Sequence, residues 1–200
     1  MNSKKNEYEA IMTKIRAGLT GDAGDDIRYL METTEHYKDH PLGREISREC
    51  GRMIWELTPN EQKQQFTESF DKDLGVIGER LDEAERERNK KNVTGALALV
   101  EDAVRIIEDC GLFKDDEVSE YKSFGELFED LLYNHRYDPK KEVRQISLPI
   151  VRAYMMLGSL LIDNGRPEDA RKALAKGLKW DPVSFMLTVE YTETSASPAI

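Results

Sequence analysis

VRAYMMLGSLLIDNGRPEDARKALAKGLKWDP, residues Val151 to Pro182, reads as two short helices joined by a tight turn. Tyr154, Leu157, Gly158 and Leu161 recur at three- and four-residue steps and fall on one face of the first helix. Asn164-Gly165-Arg166-Pro167 is turn chemistry, with Pro167 suited to the first position of the next helix. Ala170, Leu174, Gly177 and Leu178 line one face of the second helix, which Asp181-Pro182 ends. A pair of this kind cannot bury its apolar face alone and must stack on neighbouring helices.

Working outward, the rest of the chain carries the same helical periodicity. Tyr8, Ile11, Ile15 and Leu19 form one stripe, broken by Gly21-Asp22-Ala23-Gly24. Ile27, Leu30, Met31, Thr34 and Tyr37 form a second, ending near His40-Pro41. Ile46, Cys50, Met53, Ile54 and Leu57 form a third, after which Thr58 is placed to cap a helix opening at Pro59. Phe66, Phe70, Leu74, Ile77, Leu81 and Ala84 follow, then a charged run from Glu83 to Lys91 with no apolar stripe, read as a solvated helix end or an extended turn. Ala96, Leu99, Val100, Ala103, Ile106 and Ile107 make an apolar helix that reaches Cys110-Gly111, with Gly111 expected as a left-handed cap. Residues 113–122 read as an acidic loop, and Leu127 to Leu132 as a short helix that ends before Pro139. Period-two alternation is too scarce to predict strands. The expected class is all-α.

At Tyr154 to Pro182 the chain resembles the tetratricopeptide repeat family. That family's unit sets an aromatic, a Leu-Gly pair and a large apolar residue on its first helix, here Tyr154, Leu157, Gly158 and Leu161. The second helix carries Ala, a large residue and another small one, here Ala170, Leu174 and Gly177, and Pro182 closes the unit. Leu174 stands where the family has an aromatic and Gly177 where it has alanine. Leu74, Ile77, Gly78 and Leu81 repeat the first-helix spacing, and Ala96, Val100 and Ala103 the second, with an enlarged turn and no closing proline. Cys50, Gly51 and Ile54 echo the small-residue site once more. The resemblance implies a right-handed superhelix of stacked antiparallel helix pairs. On this reading residues 1–192 form one helical domain, with a clear repeat at 151–182, a degenerate repeat at 71–110 and an insertion at 111–146. Residues 193–200 are expected to be a flexible tail.

The resemblance also implies a function: the first helices of such units line a concave groove that receives an extended peptide or a partner helix. Carried onto this chain, the groove-facing residues are Arg152, Met155, Met156, Ser159, Ile162 and Asp163. Two adjacent methionines suit an adaptable apolar contact. The alternative is that Leu127, Phe128 or Leu131 of the preceding segment covers them. One subclass of the family clamps a C-terminal carboxylate with Lys and Asn; Met155 and Ser159 hold those places here, which disfavours a chaperone-tail adaptor. Beyond Pro182, the apolar residues Phe185, Met186, Val189 and Tyr191 look like a further first helix without its partner, and such an end favours a homodimer.

Composition narrows the classes of partner. The net charge of −10 argues against nucleic acid, although seven Lys or Arg stand against four acids between Arg144 and Pro182. No apolar run approaches the roughly 20 residues that span a bilayer, so no membrane partner is expected. The two cysteines, Cys50 and Cys110, read as buried reduced thiols, which places the chain in the cytoplasm. A search for chemistry finds no phosphate loop, calcium loop or nucleophile–base pair. His36 and His40 are four apart, but no third ligand accompanies them; His135 has no evident partner. The expectation is a non-enzymatic protein-binding scaffold with no catalytic residue, no cofactor and no metal.

Overall fold

The computed structural model describes residues 3–111 and 113–196. The chain is predominantly helical, of the all-α class. Where the sequence reading gives one domain, its contacts gather in two compact units: residues 1–70 with 116–119, and residues 71–115 with 120–200. Among the described residues, no helix is long and apolar enough to cross a membrane.

The first unit holds α1 (Ser3–Ala17), α2 (Ala23–His36), α3 (Gly43–Leu57) and the beginning of α4 (Asn60–Asn89). Its core is Met12, Ile15, Leu30, Leu42, Ile46, Cys50 and Met53. Asp22 starts α2 by accepting the Gly24 and Asp25 N–H groups at 3.0 Å each, as an N-cap should. Met31, expected on the buried stripe, is 61% exposed, and Thr33 turns inward instead. Thr58 ends α3 rather than opening α4: its hydroxyl donates to the Ile54 carbonyl at 2.8 Å. The short stretch Asp116–Ser119 belongs here because Arg48 pairs with Asp116 and donates to Ser119 Oγ at 2.9 Å, while Glu45 accepts the Glu117 N–H at 3.0 Å. The side chains of Phe66 and Phe70 lie outside the described residues.

In the second unit, α4 runs to Asn89, so the expected enlarged turn is absorbed into helix and only Lys90–Asn92 remain as connection. The run Glu83–Asn89 is rich in good helix formers, and Glu87 pairs with Lys90 three residues on. Asn92 caps α5 (Val93–Asp109) by accepting the Gly95 N–H at 3.1 Å. Cys110, not Gly111, caps the C-terminus of α5, and it is only half-buried. Next come β1 (Ser119–Lys122), α6 (Leu127–Tyr137) and β2 (Glu142–Gln145). Strand β1 corrects the expectation of a loop over 113–122, and both strands stand where the sequence reading predicts none. The Ile146 N–H donates to the Lys122 carbonyl at 2.8 Å, so the ends of both strands meet and the strands run parallel, with α6 as the crossover.

The chain closes with α7 (Ile150–Asp163), α8 (Pro167–Trp180) and α9 (Phe185–Ala196). The helices of the decisive pair are thus found where the periodicity puts them, and Gly165 makes the turn with φ +72°. Tyr154, Leu157 and Leu161 of α7 and Ala170 of α8 join α5's Ala96, Val100, Ala103 and Ile107 in one buried cluster with Ile77, Leu81 and Ala84 of α4. Helix α7 packs on α5 and on α8, and α8 in turn on α9. Residues 193–196, read as tail, continue α9, and 197–200 lie outside the described residues.

Candidate functional site

One side of α7 is spent on the core, where Ala153, Tyr154, Leu157, Leu160 and Leu161 are buried. The opposite side lines a groove of about 820 Å³ within the second unit. Arg152, Met155, Met156 and Ser159 come from α7 itself, at the one-turn spacing that puts them on one face. Glu85, Arg88 and Asn89 at the end of α4 form a second side, and Lys91 lies in the turn beyond. Ser123, Phe124 and Gly125, between β1 and α6, form a third side, with Leu148 and Pro149 below them. The lining thus combines apolar side chains (Phe124, Leu148, Met155 and Met156) with charged ones (Glu85, Arg88, Lys91 and Arg152).

Each wall is held by identifiable bonds. Ser123 donates its N–H to the Trp180 carbonyl at 3.0 Å and its hydroxyl to the Leu148 carbonyl at 3.0 Å. Phe124 is 6% exposed and packs on Tyr133, ring centres 5.4 Å apart. Arg152 donates to Asp82 at 2.7 Å and to Glu85 at 2.9 Å; Asp82 first, then Glu85, hold it more firmly charged. Arg88 reaches across from α4 to Ser159 Oγ at 2.9 Å and Asp163 at 3.2 Å. These exposed pairs fix side-chain direction more than they add stability.

Four of the six residues expected on the binding face are therefore brought together. The other two are not: Ile162 is 41% exposed and Asp163 reaches the groove only through Arg88. Two of the three residues that the alternative reading places over the methionines, Phe128 and Leu131, do not line the groove. Phe128 and Leu131 are 69% and 60% exposed, and the side chain of Leu127 lies outside the described residues. The aromatic that does enter is Phe124, from a segment with no periodicity to mark it. Arg88 and Lys91 were hidden in a charged run that had no stripe to give it a direction.

Among the residues expected to self-associate, Phe185 and Met186 are 74% and 54% exposed. Val189 and Tyr191 are half-buried, with the Arg171 guanidinium 5.5 Å from the Tyr191 ring. His36 and His40 do not share a helix face, because α2 ends at His36 and His40 uses Nδ1 to accept the Leu42 N–H at 3.1 Å. Among the described residues, no cluster of three or more His, Cys, Asp or Glu is arranged to hold a metal. No protein-family model matches the chain, and comparisons with curated proteins and with solved structures return no significant match.

Proposed function

We propose that this chain is a non-enzymatic scaffold whose α7 groove takes up a segment of another protein, a peptide or a partner helix. The observation that carries this reading is the gathering of Arg152, Met155, Met156 and Ser159 on one groove wall with apolar residues around them. Met155 and Met156 are half-buried, neither core nor fully solvated, and flexible thioethers adapt to varied side chains. The stacking of α5, α7, α8 and α9 suits a tetratricopeptide-like superhelix in which α7 is the groove-lining helix. An acidic chain suits a protein rather than a nucleic acid in that groove, and two free cysteines suit the reducing cytoplasm.

The test is selection of peptides from a displayed library on the wild-type protein, followed by affinity measurement on Met155→Glu. The expected result is a loss of about tenfold or more, roughly 1.4 kcal/mol, with the helical signal and melting temperature nearly unchanged. Peptides that bind Met155→Glu as well as wild type would overturn the groove assignment. So would a collapse of stability, which would make Met155 a core residue. A second reading has its own observation: the exposed Phe185 and Met186 on the first turn of α9 fit self-association through that helix.

A further inference from the structure

Between α8 and α9 the chain turns through Asp181-Pro182-Val183-Ser184. Asp181 is completely buried. Its Oδ1 accepts the Val183 N–H at 3.1 Å, while Oδ2 sits in the interior with no hydrogen-bond partner. A bare carboxylate oxygen in such a place is strongly disfavoured. The Ser123 N–H bond to the Trp180 carbonyl, 3.0 Å, brings this turn beside the segment that opens α6, and there another acid, Glu129, comes within hydrogen-bonding reach. Glu129 Oε2 already accepts the Gly125 and Glu126 N–H groups at 2.8 and 2.9 Å. Gly125 lines the groove with Ser123 and Phe124, so the two acids join the α8–α9 turn to the groove wall.

Two carboxylates in contact offer only acceptors, and one proton between them turns repulsion into a bond. Among the described residues, the cations on the neighbouring elements are turned to other partners or to solvent, and Arg144 of β2 pairs with Glu142 at 3.0 Å. Lys122 of β1 is buried, but its ammonium lies 3.8 Å from Glu120, 3.4 Å from the Tyr121 carbonyl and 5.5 Å from the Tyr133 ring centre. On α8, Lys179 is exposed, and on α7, Arg152 is held by Asp82 and Glu85. Helix α9 carries no charged side chain before Glu190, and His135 on the last turn of α6 is exposed. Burial first, then the Glu129 charge, push the Asp181 carboxyl up to about 7.

We propose that Asp181 and Glu129 share one proton and act as a pH-sensitive latch on the groove wall, closed while the proton is held and loosened when it is lost to solvent. Loss leaves two carboxylates in contact, and the relief is movement of Glu129 away from Asp181, which takes the Gly125 and Glu126 amides with it. The effect on binding rests on the groove reading above. The latch itself does not, and it is tested without any ligand.

A Trp55→Phe background leaves Trp180, next to Asp181, as the sole indole. Its fluorescence is followed from about pH 5.5 to about 8.5, a window in which an unperturbed carboxylate stays ionised, together with hydrogen exchange at Gly125 and Glu126 corrected for intrinsic rates. One transition with a midpoint near 7 is expected, with protection of both amides falling about tenfold across it. Asp181→Asn should abolish the transition and keep the amides protected throughout, while Glu129→Gln should lower the midpoint by about one pH unit or more. A transition that persists in Asp181→Asn would belong to a histidine and overturn the latch, as would protection indifferent to pH. Should Asp181→Asn fail to fold, carboxyl carbon NMR of the unaltered protein decides: titration of Asp181 near its ordinary value of 3.8 rejects the shared proton.

Discussion

Gly158 carries more of the fold than most side chains do. A Cβ placed there would lie 2.7 Å from both Cγ and Cδ2 of Leu174, itself fully buried, so that side chain would have to shift within the core. At Gly177 a Cβ would meet Tyr154 Cβ at 2.9 Å. Gly158→Leu should therefore destabilise by about 1–3 kcal/mol through overpacking, read as a lower melting temperature; an unchanged one would mean that α7 and α8 do not approach as closely as this. The Leu-Gly spacing made this contact legible in the sequence, because a small residue on an apolar stripe has few other reasons to be there. The same cue misleads at Gly51 and Gly78, where an added Cβ would meet nothing within 4 Å. Asp26 carries a second prediction. It accepts Thr20 N–H at 2.7 Å, Thr20 Oγ at 2.9 Å and Gly21 N–H at 3.0 Å, and these bonds, Thr20 N–H foremost, hold its carboxyl below the ordinary 3.8. A depressed value means that its contribution is present above pH 3.8 and is lost as pH falls through the folded value. Asp26→Asn should lower the urea midpoint near neutrality and flatten its acid limb, whereas an unaltered acid limb would remove Asp26 from the explanation.

At the scale of elements, what was legible depended on length. Helices α5, α7 and α8 each show three or more turns of apolar periodicity, enough to outweigh propensity. Strands β1 and β2 have four residues each, one and a half alternations, and no pattern that short stands out from an acidic loop. The end of α4 was ambiguous for a different reason: its outward residues meet α7 through Arg88 and through Arg152's bonds to Asp82 and Glu85, and ion pairs leave no apolar stripe. The boundary between α4 and α5 rests on Asn92, which accepts the Gly95 N–H and donates to Glu87 at 2.7 Å. Asn92→Ala removes both and should cost about 1 kcal/mol, seen in thermal melts and in faster exchange of the first α5 amides. Loss of stability without faster exchange there would place its effect elsewhere.

For the whole molecule, each compact unit has a buried cluster of its own, so solubility and association turn on what those clusters leave outside. Among the described residues, Met31, Trp55 and Ile162 stand singly on the surface, while Phe128 and Leu131 lie one turn apart on α6. Phe185 and Met186 are adjacent, sit on the first turn of α9 and are followed by the fully buried Leu187, which fixes the helix beneath them. With the backbone beneath them anchored, less chain entropy is lost when the two side chains are covered. A net charge of −10 opposes that contact through self-repulsion, and salt weakens the opposition. Light scattering across a concentration series should therefore show a mass rising above the 23.0 kDa of the single chain, more steeply at high ionic strength. Phe185→Ser combined with Met186→Ser should return it to the single-chain value without lowering the melting temperature, since neither side chain is core. A wild-type mass that stays at one chain at every concentration and salt would end the self-association reading. The proposed groove at Met155 and Met156 would then be the binding surface left to test.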